Sequence, residues 1–265
     1  MIFYVIRSEI FKFCVGKLLY ILLTIGVLYI ILQQIPLLEM LYNLLEMEEA
    51  DQSQPLIFGY QAFRHTHIDG LFMFFMPALI VKFFTSEYTK KTIYPVVEIS
   101  RNRTILFLGK YIALFLTVIF LLFSFAAFST LLATVINGWG TDVFLLELGG
   151  ILLLVLKMSF FQLSLAGMTL MVGFIAKQES WVILSYFAIS LLESIIASIL
   201  VNLGSANQFL GTMSNLFPTV YAFSFLEGSD VLHQSNSSWA WFSIFLMIIT
   251  TITMCTCIFN KQDLV

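Results

Sequence analysis

ILFLGKYIALFLTVIFLLFSFAAFSTLLATVI, residues Ile105 to Ile136, carries a single charged side chain, Lys110. At a rise of 1.5 Å per residue, roughly 20 apolar residues cover a hydrocarbon layer about 30 Å thick. The run exceeds one perpendicular span and therefore has length for tilting or bending. Its apolar residues do not alternate with polar ones, so it is a helix and not a strand of a membrane barrel. The rest of the chain has the same character: 60% of its 265 residues are hydrophobic and 11% are charged, with a mean hydropathy of +0.95. That composition leaves too little polar material to surface a water-soluble domain.

Five more apolar runs lie on either side: Leu18 to Ile35, Leu71 to Phe84, Leu148 to Ala176, Trp181 to Val201 and Trp239 to Phe259. The expected fold is an all-α polytopic membrane protein, one domain over 1–265, with six transmembrane helices at 18–36, 68–85, 105–136, 148–176, 181–201 and 239–259. The second is short and borrows neighbouring residues. Of the 13 Lys and Arg, all but Arg64 and Lys157 fall at one set of span ends, while the opposite loops collect acids such as Glu46, Glu48, Glu49 and Asp51. Basic residues are retained on the cytoplasmic side, so both termini are expected there. The net charge of -3 averages a basic inner face with an acidic outer one and offers no patch for nucleic acid.

Residues 1–17 are too long and too charged for the leader of a signal peptide, and no small-residue cleavage site follows the apolar run. Phe3, Ile6, Ile10, Phe13 and Cys14 recur at helical spacing, with Ser8, Glu9 and Lys12 on the other face. This predicts an amphipathic helix lying on the inner membrane surface; a plain extension of the first span is the alternative. Cys14, Cys255 and Cys257 fall at the inner side, where thiols stay reduced, and two residues apart on a helix is a poor metal-ligand spacing. His65, His67 and His233 fall in expected outer loops, as solvated residues unless HTHID, His65 to Asp69, extends to hold a metal.

Charges inside spans are the strongest functional signal, because a buried ion at the bilayer centre costs on the order of 2.5 to 3.5 kcal/mol. Glu193 sits well inside the fifth run, and Ser190, Ser194 and Ser198 recur every fourth residue beside it. Such a stripe faces protein or water: it is either a translocation pathway or dimer face, or plain small-residue helix packing. Lys157 in the fourth run is its possible ion partner; otherwise Lys157 snorkels outward and Glu193 is protonated.

The motifs of membrane enzymes are missing: there is no H-E-x-x-H, no G-x-S-x-G, and neither Gly16-Lys17 nor Gly109-Lys110 has the surroundings of a phosphate-binding loop. The chain is expected not to be an enzyme and to hold no cofactor or metal of its own. Any ATP and Mg it depends on would be bound by another chain.

SEYTKKTIYPVVEISRNRTILFLGK, Ser86 to Lys110, is the most polar stretch, and it lies on the expected cytoplasmic side between the second and third spans. It reads as a docking surface, or as a loop anchored at anionic headgroups by its basic residues. Glu87 and Tyr88 after the second span, then Thr92, then Arg101 and Lys110 leading into the third, resemble the order found in ABC-2 type transporter permeases, with Lys91 where that family usually has Gly. The resemblance extends to six spans with both ends inside. It implies a cytoplasmic coupling helix over 86–104 that docks on a separate ATPase through Glu87, Tyr88, Thr92, Arg101 and Lys110. It also implies a re-entrant outer segment over 202–238, two ATPase subunits, and a second copy of the chain or a similar permease. The expected function is export of a lipophilic or amphipathic substrate from a bacterial cytoplasmic membrane. An antimicrobial peptide of the lantibiotic type comes first, drug or lipid efflux second. A sensor or assembly component without an ATPase is the reading from a different class.

Overall fold

The computed structural model describes residues 2–34, 59–65, 68–85, 103–140, 144–204 and 237–261. Among the described residues the regular structure is helical throughout. The elements are α1 (Ile2–Val15), α2 (Lys17–Gln34), α3 (Gly59–His65), α4 (Ile68–Ile80) running into a π-helical turn (Val81–Thr85), α5 (Arg103–Asn137), α6 (Phe144–Ala176), α7 (Glu179–Gly204) and α8 (Ser237–Lys261). The expected coupling helix and re-entrant segment lie outside the described residues.

Among the described residues five helices, within α2, α5, α6, α7 and α8, are long and apolar enough to cross a bilayer. The chain is a multi-pass membrane protein. The sixth expected span is a shorter apolar helix, Gly70–Thr85. Its irregularity has a local cause. Pro77 lies inside α4 and can donate no backbone hydrogen bond, and the helix then widens into the π turn. Carbonyls in the last turn of any helix lack a backbone donor. Here the Thr85 hydroxyl donates to the Val81 carbonyl at 3.3 Å and Lys110 Nζ to the Phe83 carbonyl at 3.0 Å.

The bundle is organised around α5 and α6. α5 packs against α1, α2, α3, α6 and α8, while α6 also takes α4, α7 and α8 on its sides. With lipid as solvent the helices associate through close packing more than through water exclusion, and the fits are tight. Gly26 of α2 lies where any Cβ would overlap the Phe125 ring of α5, and Gly167 of α6 stands in the same relation to Thr251 of α8. Phe72, Phe75 and Phe125 form one aromatic group. Phe84, Phe107 and Phe174 form another between α4, α5 and α6. Side chains such as Leu184, Leu191, Leu192 and Ile195 on α7 are exposed, as a lipid-facing surface requires.

Two segments differ from their sequence reading. Residues 59–65, expected in an outer loop, form α3: Ala62 and Phe63 are fully buried where α3 packs on α5. Its first amide, from Gly59, donates to the carbonyl of Gly138 at 3.0 Å, just past the end of α5. There Gly138 closes the helix at a φ of 82°, and its own amide returns to the Thr134 carbonyl at 2.9 Å. His65 therefore ends a helix, and Ile68 and Asp69 begin the next, so this part of HTHID is not an extended strand of alternating ligands. The second difference is the rotation of α1. Glu9, placed on the polar face by its sequence, is buried against the protein together with Phe13, while Phe3 and Cys14 stay exposed, as a membrane-directed face allows. An acid can turn inward because a cation waits for it.

Candidate functional site

That cation is Lys110. The chain enters α1 with Val5, Glu9 and Phe13 spaced four residues apart, which places them on one helical face. Opposite them α5 presents Gly109 and Lys110. A Cβ at Gly109 would come within 2.9 Å of the Val5 Cβ, so glycine here sets how near the two helices can pack. At that approach Lys110 Nζ stands 3.2 Å from Glu9 Oε1, with both side chains almost fully buried. Lys12, one turn on and half exposed, reaches the same oxygen at 2.9 Å. Lys110 also donates to the Phe83 carbonyl, and Phe13 meets the Phe83 ring with centroids 5.8 Å apart. A buried pair this close is strongly attractive because little water screens it, and its extra hydrogen bond offsets part of the desolvation cost.

This junction joins three elements at one end of the bundle: the amino-terminal helix, the π turn that ends α4, and the first turns of α5. Between Thr85 and Arg103 the chain runs through the polar stretch. Glu87, Tyr88, Thr92 and Arg101 lie there, outside the described residues. Lys110 does not belong to an exposed surface: it is 3% exposed and is held by Glu9 and the Phe83 carbonyl. Its depth follows from its position inside α5, where the flanking Gly109 and Tyr111 are buried as well.

The intramembrane residues form a second polar group. Ser190 and Glu193 are 7% and 6% exposed within the single chain, on a helix packed against α4 and α6. Ser194 is half buried and Ser198 is exposed. The stripe thus starts inside the protein and emerges toward the far end of α7, so its Ser190–Glu193 half is covered by the chain itself and not left open to a second copy. On the same face of α7, about two turns before Glu193, Tyr186 donates its hydroxyl to Gln162 Oε1 of α6 at 2.7 Å. Lys157, half buried, lies on α6, which packs against α7. A third group links α5, α6 and α8. The Tyr111 hydroxyl donates to the Leu163 carbonyl at 2.9 Å, and Cys255 Sγ approaches the Gly167 carbonyl at 3.8 Å.

Sequence reasoning missed Glu9, Phe83, Gln162 and Tyr186. Lys110 carried a usable signal: a lone cation in an apolar run requires a counter-charge, and Glu9 is the acid in step with Val5 and Phe13. No group of three or more metal-ligating residues occurs among the described residues. Cys255 is buried and Cys257 exposed, as their spacing on a helix predicts. Comparison with protein families, with curated proteins and with solved structures finds no match to this chain.

Proposed function

We propose that the chain is the membrane-spanning subunit of an ATP-driven exporter of the ABC-2 type, seated in a bacterial cytoplasmic membrane and energised by separate ATPase subunits. The observation that carries the reading is the junction of Lys110 with Glu9 and the Phe83 carbonyl. It fastens together both helices that flank the polar stretch, so a displacement of that stretch is delivered to α4, α5 and α1 at once. Such a rigid seat is what a docked motor requires, because side chains in two discrete, well-packed arrangements transmit motion where a slack loop dissipates it.

On this reading Glu87, Tyr88, Thr92 and Arg101 contact the ATPase, and Lys110 positions the segment that carries them. ATP and Mg belong to the partner. Two copies of the permease, or this chain and a similar one, face each other with two ATPases beneath. Glu193 with Ser190, Tyr186 and Gln162 supplies polarity at membrane depth beside the route of a lipophilic or amphipathic substrate. An antimicrobial peptide of the lantibiotic type is the first choice, with drugs or lipids next.

The test is purification of the tagged chain from its native membrane in mild detergent. Bound proteins are identified by mass spectrometry and ATP hydrolysis by the complex is measured, for wild type and for Glu87→Ala/Arg101→Ala. An ATP-hydrolysing subunit held by wild type and lost from a well-folded double variant is the expected result. Intact protein without an ATPase in either preparation overturns the exporter and leaves the sensor or assembly role.

A further inference from the structure

The outer side of α1 has no role in the junction. At about 100° per residue, Arg7 and Phe11 lie roughly 160° from Glu9, one on either side of the opposite face. Phe3, Tyr4 and Val15 share that face, and these four apolar side chains are 66–80% exposed. Arg7 is exposed with them, Lys12 is half exposed on the flank, and exposed Lys17 follows at the bend where α1 gives way to the membrane-crossing α2. The helix has one acid, Glu9, and that acid is buried against Lys110. The outward surface is therefore aromatic and solely cationic.

We infer that this face of α1 binds anionic lipid headgroups, with Phe3, Tyr4, Phe11 and Val15 entering the acyl boundary and Arg7 and Lys17 meeting the negative charge. Charge complementarity selects this occupant. An amphipathic helix lies in the interface when one side is apolar and basic residues reach the headgroups. Arg7, set between Phe3 and Phe11 around the helix, does so by extending its long stem, and each cation near an anionic surface strengthens binding roughly five-fold. Burial of Glu9 removes the one charge on the helix that would repel such lipids. Aromatic residues and arginine also suit a protein interface, but here they stand beside the foot of a membrane-crossing helix, with exposed Lys17 at the bend between them, where headgroups are the nearest neighbours. The inference stands apart from the exporter reading, since it concerns the isolated chain.

The intact chain, carrying Cys257→Ser and an environment-sensitive fluorophore on exposed Cys14, is held in neutral detergent micelles. It is titrated with short-chain phosphatidylglycerol, with short-chain phosphatidylcholine and with free glycerol phosphate. Phosphatidylglycerol is expected to shift the fluorescence at far lower concentration than phosphatidylcholine, with the preference shrinking as salt rises. Arg7→Gln/Lys17→Gln is expected to weaken that response about twenty-five-fold, the product of two five-fold effects, while Arg7→Lys/Lys17→Arg retains it. Both positions are exposed, so the glutamine variant keeps the junction and the fold. Equal responses to the two lipids, an unchanged response in the glutamine variant, or full replacement of the lipid by glycerol phosphate would each overturn the inference.

Discussion

The two members of the buried ion pair are not equivalent, and this asymmetry predicts an order of stabilities. Glu9→Gln leaves Lys110 as a cation 3% exposed, facing the Phe83 carbonyl but no carboxylate from α1. Removing one partner of a buried pair costs about 3–5 kcal/mol, and the lower end applies because the glutamine amide still accepts a hydrogen bond. Lys110→Met is milder. Glu9 keeps Lys12 at 2.9 Å, whose side chain is 48% exposed, so its charge stays compensated, and the loss is mainly the donor to Phe83, about 1–3 kcal/mol. In Glu9→Gln/Lys110→Met both buried charges are gone, and the combined cost should fall below the sum of the singles by about 2 kcal/mol. Reversible unfolding of the purified chain in mixed micelles, titrated with a denaturing detergent, reads all four proteins on one scale. Glu9→Gln within about 0.5 kcal/mol of wild type, or a strictly additive double variant, would refute the reasoning.

Gly26→Ala places a methyl group in the Phe125 ring; overpacking costs about 1–3 kcal/mol, and adding Phe125→Leu should recover most of it in the same unfolding assay. Tyr186→Phe removes the donor to Gln162 and leaves a buried amide oxygen short of a partner, a loss of about 1–3 kcal/mol that Gln162→Leu in the same chain should reduce. Under the exporter reading, Glu193→Gln preserves expression and assembly and lowers transport in reconstituted vesicles several-fold; wild-type transport by that variant removes Glu193 from the mechanism.

The long helices were legible because their signal is additive: a run such as Ile105 to Ile136, with Lys110 as its single charge, leaves little room for another structure. Helix α3 was not, since seven residues with Arg64 and His65 among them read as a loop until Ala62 and Phe63 find α5. The rotation of α1 was hidden by a different physics. Hydrophobicity alone turns Phe3 and Phe13 together toward the membrane and Glu9 away from it, but with lipid on one side and protein on the other both faces of α1 accommodate apolar residues. The decision then falls to electrostatics, through a lysine distant in sequence. Likewise the serine spacing located Ser190 and Glu193 on one face, but where the stripe passes from the interior to the exposed surface depends on how far α4 and α6 extend alongside α7.

The wide turn at Val81–Thr85 has a consequence for phase. A π turn takes one residue more than the α turn it replaces, so restoring α geometry there would swing the bond leaving Thr85 by about 100° around the helix axis. Lys110, bound to the Phe83 carbonyl from the neighbouring helix, braces the turn in this geometry. Deleting a single residue from this turn would keep the composition and nearly all of the length of the helix, yet would send the chain out of it on a different bearing.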